Sequence, residues 1–318
     1  MTSSEEIAFI FPGQGESHSV GMGRDFYDQF EIVRDTFEEA SKITGVDLKS
    51  LIFDGPLETL SETQNCQIAI YLVSISILRV LKQEFPNLVP TFVGGLSLGE
   101  YTAATASGVL SFAQGVELVY ARGQLMQKAC EENPSTMAVV LGLSEEEVKT
   151  VLDELGCPDD LWLANLNCPG QIVVSGTQKG IDKLLVCAKE KGAKRVLPLN
   201  VAGAFHSPLM QTAATELYSK LKDMKLSPSK FELAMNSTGK TESDLEKIKE
   251  NLISQITSSV RWHSCVEEMQ KGGVQKFFEI GPGKVLAGLN KRIKVTGQTY
   301  SINSVNSLES LQNFVASN

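Results

Sequence analysis

The sequence predicts an α/β protein in which a parallel-sheet domain carries a small inserted βαββαβ subdomain. Short apolar runs closed by glycine or proline alternate with long helical stretches, the order expected of a parallel sheet covered on both faces. The middle of the chain then changes to short strands and two helices in the order of a split βαβ unit. The 318 residues, 42% of them hydrophobic and 21% charged, suffice for one large core and a smaller insert.

Ile7–Phe11 is a compact apolar run ended by Pro12-Gly13, a buried strand feeding a glycine-rich loop. Helical stretches follow over about Asp25–Ser41 and about Thr63–Glu84. Thr91–Gly94 is a second strand, followed by Gly95-Leu96-Ser97-Leu98-Gly99 and an alanine-rich helix to about Ala106. Another helix covers about Phe112–Glu132. In the middle, Met137–Leu143 is a strand. Ser144–Leu155 is a helix capped by its serine, with Glu145, Glu146 and Glu147 in the first turn. Leu161–Asn167 and Gln171–Ser175 form a hairpin around Cys168-Pro169-Gly170, Gly180–Lys191 is a helix and Arg195–Val201 a strand. This ferredoxin-like unit occupies residues 134–203, between the parts 1–133 and 204–318 of the larger domain. The rest is helical apart from one more buried strand, Lys276–Ile280, ending at Gly281-Pro282-Gly283.

The formal charge of −9 argues against nucleic-acid binding, which calls for a basic face. The six cysteines are scattered, with neither a CxxC pair nor zinc spacing, and read as reduced thiols of a cytoplasmic protein. The N-terminal run lacks the basic segment of a signal peptide. The longest uncharged apolar stretch, Cys66 to Leu78, is too short to span a bilayer, so no membrane is expected.

Gly95-Leu96-Ser97-Leu98-Gly99 fits the G-x-S-x-G nucleophile elbow, in which flanking glycines permit a sharp strand-to-helix turn. The turn puts the Ser97 hydroxyl at the positive end of a helix. A serine nucleophile needs a base, and the chain has three histidines. His18 lies in the first loop, and His263 sits beside Trp262 and Cys265, where packing is its role. His206 follows a strand and precedes Ser207-Pro208, an N-cap and N1 pair, so the helix N-terminus there favours neutral imidazole. Around Arg122, positions Leu118, Val119, Leu125 and Met126 are all apolar, which puts the guanidinium on a buried face. It either pairs with one of the 38 carboxylates as a structural salt bridge or takes a substrate carboxylate in its fork.

With these residues in place, the chain resembles the malonyl-CoA:acyl carrier protein transacylases of fatty-acid synthesis over nearly its whole length. The resemblance rests on Phe11 to Gly15 with Gly21-Met22-Gly23, Gly95 to Tyr101, Arg122-Gly123, Asn165 to Gly176, Gly203 to Ser207 and Glu279 to Leu286. It implies an α/β hydrolase-like large domain with a ferredoxin-like small one. It also implies Ser97 as nucleophile, His206 as base, Arg122 as the malonyl carboxylate binder, and the backbone N–H groups of Gln14 and Leu98 as the oxyanion hole. Gln255 would steady His206 through its backbone carbonyl, a dyad without an acid. Asn165 and Asn167 either line the cleft or stabilise the turn before Pro169-Gly170.

The first loop departs from the family pattern at Gly15-Glu16-Ser17-His18-Ser19-Val20. The implied partners are malonyl-CoA and acyl carrier protein, with no metal or redox cofactor. Two basic clusters, Lys191, Lys194 and Arg195, and Lys291, Arg292 and Lys294, are candidates for docking an acidic carrier. The rival function is a serine thioesterase or esterase with the same elbow, but such an enzyme would carry an HGGG-type loop, which is absent.

Overall fold

A computed structural model describes residues 6–15 and 18–316. Two sheets organise the chain. The larger uses β1 (Glu6–Phe11), β2 (Phe92–Gly95), β7 (Glu232–Met235), β8 (Lys240–Glu242), β9 (Val274–Ile280) and β10 (Gln298–Ile302), in the order β10-β9-β1-β2-β7-β8. All its pairings are parallel except β7 with β8. The expected parallel sheet is therefore a mixed one. β1 and β2 are buried between helices on both faces, which is why they read as unbroken apolar runs. Three strands escaped the sequence pattern: β7 has four residues, β8 three, and β10 reads Gln-Thr-Tyr-Ser-Ile, a polar edge strand.

The smaller sheet uses β3 (Ser135–Leu141), β4 (Leu161–Cys168), β5 (Gln171–Thr177) and β6 (Arg195–Pro198), all antiparallel, in the order β4-β5-β3-β6. Its first helix, Glu145–Leu155, starts with the anticipated serine cap, here a full capping box between Ser144 and Glu147. β6 stops at Pro198 rather than Val201, and the chain from there to His206 is irregular. The sheet has its own apolar cluster and is also stitched to the larger unit along β4. There Leu166 N donates to Val260 O at 2.9 Å and Val260 N to Ala164 O at 2.8 Å.

Helices Thr63–Glu84 and Phe112–Glu132 have the bounds expected from the sequence. The first is long and apolar enough to cross a bilayer, contrary to the shorter stretch read from the sequence. Of its most apolar window, however, 83% is buried inside the protein, where it forms the centre of the main core. The stretch expected as one helix over Asp25–Ser41 is two, Arg24–Gln29 and Glu31–Thr44, because Phe30 turns extended and caps both. Helices Leu48–Phe53 and Leu57–Ser61 are too short to show a period and were not anticipated. All six cysteines are free thiols.

The parallel strands β1, β2, β7 and β9 end on one edge of the large sheet, and their following loops begin with Pro12, Leu96, Asn236 and Gly281. Ligands of open α/β sheets bind beyond such carboxyl ends.

Candidate active site

Ser97 caps the Leu98–Ala106 helix with φ 52° and ψ −104°. That backbone costs a non-glycine residue about 1–3 kcal/mol and persists only where its surroundings over-determine it. The flanking glycines are obligatory for contact reasons. A Cβ on Gly95 would lie 2.0 Å from the Gly99 carbonyl carbon, and one on Gly99 would lie 2.1 Å from Phe11 O. The elbow thus closes on itself and on the end of β1.

His206 is 4% exposed, and its Nε2 lies 2.8 Å from Ser97 Oγ. Its Nδ1 lies 2.7 Å from the Gln255 carbonyl oxygen. A carbonyl can only accept, so Nδ1 carries the proton and Nε2 is left to accept from the serine hydroxyl. The ring is aimed by a left-handed backbone, φ 57°, held by Ser175 Oγ donating to Phe205 O and Ser207 Oγ to Ala204 O. Ser207 is a cap as expected, but of a short 3-10 turn, Pro208–Met210, that leads into helix Gln211–Leu221. Burial, reinforced by the Arg122 charge and opposed by the Gln255 carbonyl, lowers the His206 pKa to about 4.

Arg122 is 1% exposed, as its apolar helical neighbours require. Nη1 donates to Gln67 Oε1 at 2.5 Å, and Nη2 to Gln255 Oε1 at 3.0 Å and to Ser97 Oγ at 3.1 Å. The guanidinium carbon stands 5.2 Å from the centre of the Tyr101 ring. Among the described residues no carboxylate forms an ion pair with it, and Nε has no partner. The structural salt bridge is therefore not what the residue makes. It is a buried cation held by neutral oxygens beside the reactive hydroxyl. The acid next to the elbow, Glu100, has its pKa raised by burial to about 8, against the opposing pull of its hydrogen bonds from Asn236 and Gln255 and of the Arg122 charge.

Gln14 is half-buried in the first loop, where its Oε1 accepts from Gln67 Nε2 at 3.4 Å. A Cβ on neighbouring Gly13 would lie 2.3 Å from Leu96 O, so this loop runs against the elbow. Among the described residues the backbone N–H groups of Gln14 and Leu98 have no acceptor. Ser97 N–H is already spent on Asn236 Oδ1 at 2.7 Å.

Gln255 is fully buried. Beyond its carbonyl, its side chain bonds Arg122 and donates to Ser97 O at 2.9 Å. Asn165 and Asn167 lie on β4, whose pairing is irregular on both sides of Leu166. Among the described residues neither side chain bonds Ser97, His206 or Arg122, nor the hairpin turn, and Asn167 Oδ1 is buried without a partner. The structure thus joins Ser97, His206, Arg122 and Gln255 directly and Gln14 through Gln67, and leaves the two asparagines apart.

His18 bonds Gly15 O at 2.7 Å and Ser61 Oγ at 3.0 Å, while Glu16 and Ser17 lie outside the described residues. Among the described residues His263 bonds none of this cluster, and it sits 3.5 Å from Glu267. Of the basic clusters, Lys191 is paired with Glu154, and Arg292 donates to Gln171 of the β4–β5 hairpin.

Sequence reading missed Gln67, Glu100 and Asn236. The first two carried a signal, an amide side chain inside the apolar stretch Cys66 to Leu78 and an acid in an alanine-rich helix. Asn236 carried none.

A model of the acyl transferase domain family matches residues 8–308. The malonyl CoA-acyl carrier protein transacylase of Bacillus subtilis is 41% identical over 305 residues, covering 96% of this chain and 95% of the relative. The crystal structure of an acyl carrier protein S-malonyltransferase from Vibrio cholerae superposes with a TM-score of 0.92 at 40% identity, covering 96% of this chain and 99% of that one. A malonyl-transacylase solved in complex with a type II PKS acyl-carrier protein superposes equally well, at 0.92 and 37% identity, covering 97% and 99%. Both sheets but for the first two residues of β1, together with the elbow and the histidine loop, fall within the matched span, and the chain belongs to the acyl transferase family, among the malonyl-CoA:acyl carrier protein transacylases.

Proposed function

We propose that this protein transfers a malonyl group from malonyl-CoA to the phosphopantetheine thiol of acyl carrier protein, through a malonyl ester on Ser97, in the cytoplasm and in support of fatty-acid synthesis. The observation that carries this reading is the buried Arg122 guanidinium, which has no ion-pair partner among the described residues and lies 3.1 Å from Ser97 Oγ. An acyl group ending in a carboxylate would supply the missing anion on the same side chain that takes the ester.

Ser97 Oγ attacks the thioester carbon as its proton passes to His206 Nε2. The Gln14 and Leu98 N–H groups stabilise the oxyanion. The carbon–sulfur bond breaks, and the coenzyme A sulfur leaves with the proton from His206. The carrier thiol repeats the sequence in reverse, losing its proton to His206 and taking the malonyl group. The Gln255 carbonyl holds the imidazole in the tautomer this needs, and no step calls for a metal or redox group. Residues 134–203 are assigned as a ferredoxin-like subdomain on a hydrolase-like catalytic domain, with Asn165 and Asn167 in the wall of the cleft between them. The βαββαβ order of the small sheet supports that assignment.

Intact-mass spectrometry tests the reading. Malonyl-CoA should leave a malonyl adduct on the protein, acetyl-CoA little or none, and holo-carrier should discharge the adduct much faster than water. Discharge by water at the carrier rate would instead establish the rival thioesterase.

The base also sets a pH profile. The histidine pKa falls from its ordinary 6.5 to about 4 in the free enzyme, so imidazole stays competent through that window. The acid limb of kcat/KM for malonyl-CoA, which reports the free enzyme, should therefore fall well below pH 6. The accompanying stability is complete above pH 6.5 and is lost as pH falls toward 4. A limb centred near 6.5 would contradict the buried neutral base.

A further inference from the structure

We propose that Asn236 is the positioning residue of the elbow, binding Ser97 and Gln255 into one hydrogen-bonded unit anchored by Glu100, a role that rests on reading Ser97 as the nucleophile. Asn236 is the first residue beyond β7 and is fully buried. Its Nδ2 donates to Gly95 O at 2.8 Å, and its Oδ1 accepts from Ser97 N at 2.7 Å. One rigid amide thus grips the chain on both sides of the turn, satisfying a carbonyl and an N–H close to the strained serine. A side chain of the same size without both a donor and an acceptor could not do this.

The same Oδ1 accepts from Gln255 Nε2 at 3.3 Å. Gln255 in turn holds the His206 ring through its carbonyl and Arg122 through its Oε1. Asn236 therefore reaches all three reacting side chains while touching none of their reacting atoms. Its own backbone is fixed in both directions. Its N–H donates to Glu100 Oε2 at 2.5 Å, and its carbonyl accepts from Arg261 N at 2.9 Å. The titratable or charged groups facing this unit are Glu100 and Tyr101 on the elbow helix, Arg122, His206, and Cys265, whose sulfur is 3.8 Å from Nδ2. Burial raises the pKa of the Glu100 anchor, which weakens the anion it could set beside the arginine that must take one.

The test is the rate of Ser97 labelling by a fluorophosphonate, followed with the melting transition in wild type, Asn236→Ala and Asn236→Asp. A displacement of order 1 Å in a reacting group lowers rates by about 10²-fold, and Asn236→Ala should label about that much more slowly while still melting cooperatively. Asn236→Asp keeps the acceptor for Ser97 N–H but can donate to Gly95 O only when the introduced acid is protonated. Its labelling, taken as a ratio to wild type, should therefore rise as pH is lowered from 8 to 5.5, and the ratio is read only over the range in which the melting transition shows the variant folded, because a buried carboxylate also costs stability above its pKa. That ratio decides the matter even if the alanine variant does not fold. Variants labelling at the wild-type rate, or an aspartate variant with a ratio flat in pH, would overturn the positioning role. A wild type that labels at no pH would overturn the nucleophile reading itself.

Discussion

Ser97→Ala is expected to abolish the malonyl adduct and to lower transfer by about 10⁴–10⁶-fold, the range seen when a catalytic serine working with its base is removed. The fold should survive. Alanine has the same Cβ as serine and can occupy the same turn, and the glycine contacts that build the elbow do not involve the hydroxyl. His206 keeps its bond to the Gln255 carbonyl, and Arg122 keeps Gln67 and Gln255. Intact mass after incubation with malonyl-CoA, with a circular dichroism melt, checks both halves. An unchanged mass shift in the variant would remove Ser97 from the mechanism.

Arg122→Ala should separate two substrates that the wild type also separates, in the opposite sense. Losing one partner of a buried charge-assisted pair costs about 3–5 kcal/mol. Transfer from malonyl-CoA should therefore drop by about 10²–10³-fold or somewhat more. Acetyl-CoA has no carboxylate to lose, and its transfer should hold or improve, because the variant no longer buries an unpaired cation. A second signature follows from electrostatics. The Arg122 charge is one of the causes that hold the His206 pKa low, so the acid limb of the variant should move toward neutral pH. The ratio of the two transfer rates decides the matter. If both fall together and the limb does not move, Arg122 only supports the core.

Some of this was legible in the sequence because it is written in local chemistry. The elbow needs two glycines around its serine, the Ser144 helix needs its cap and acidic first turn, and Arg122 announces its burial through four apolar neighbours on one helix face. The joining of Thr63–Glu84 and Phe112–Glu132 to the right bounds is also local, since both are long and strongly patterned. What stayed hidden depends on pairing across distance. β7 is too short to show alternation, so the residue at its end had no element to be placed on. β10 is polar because it lies at an edge. The register shifts of β4 around Asn165 and Asn167 belong here too, because no local pattern announces a break in pairing.

The hydrogen bonds that assemble the site also bear on how the protein comes to life. Ser97 meets His206 across 109 residues of chain, Asn236 across 139 and the Gln255 side chain across 158. Strand β1 completes its place only when β9, from the far end of the chain, lies beside it. Closing such long loops is slow, while helices form early. During refolding, the far-ultraviolet signal should accordingly recover well ahead of the capacity to form an acyl-enzyme. A newly made chain emerging from the ribosome should likewise stay chemically silent toward thioesters until its C-terminal strands have docked.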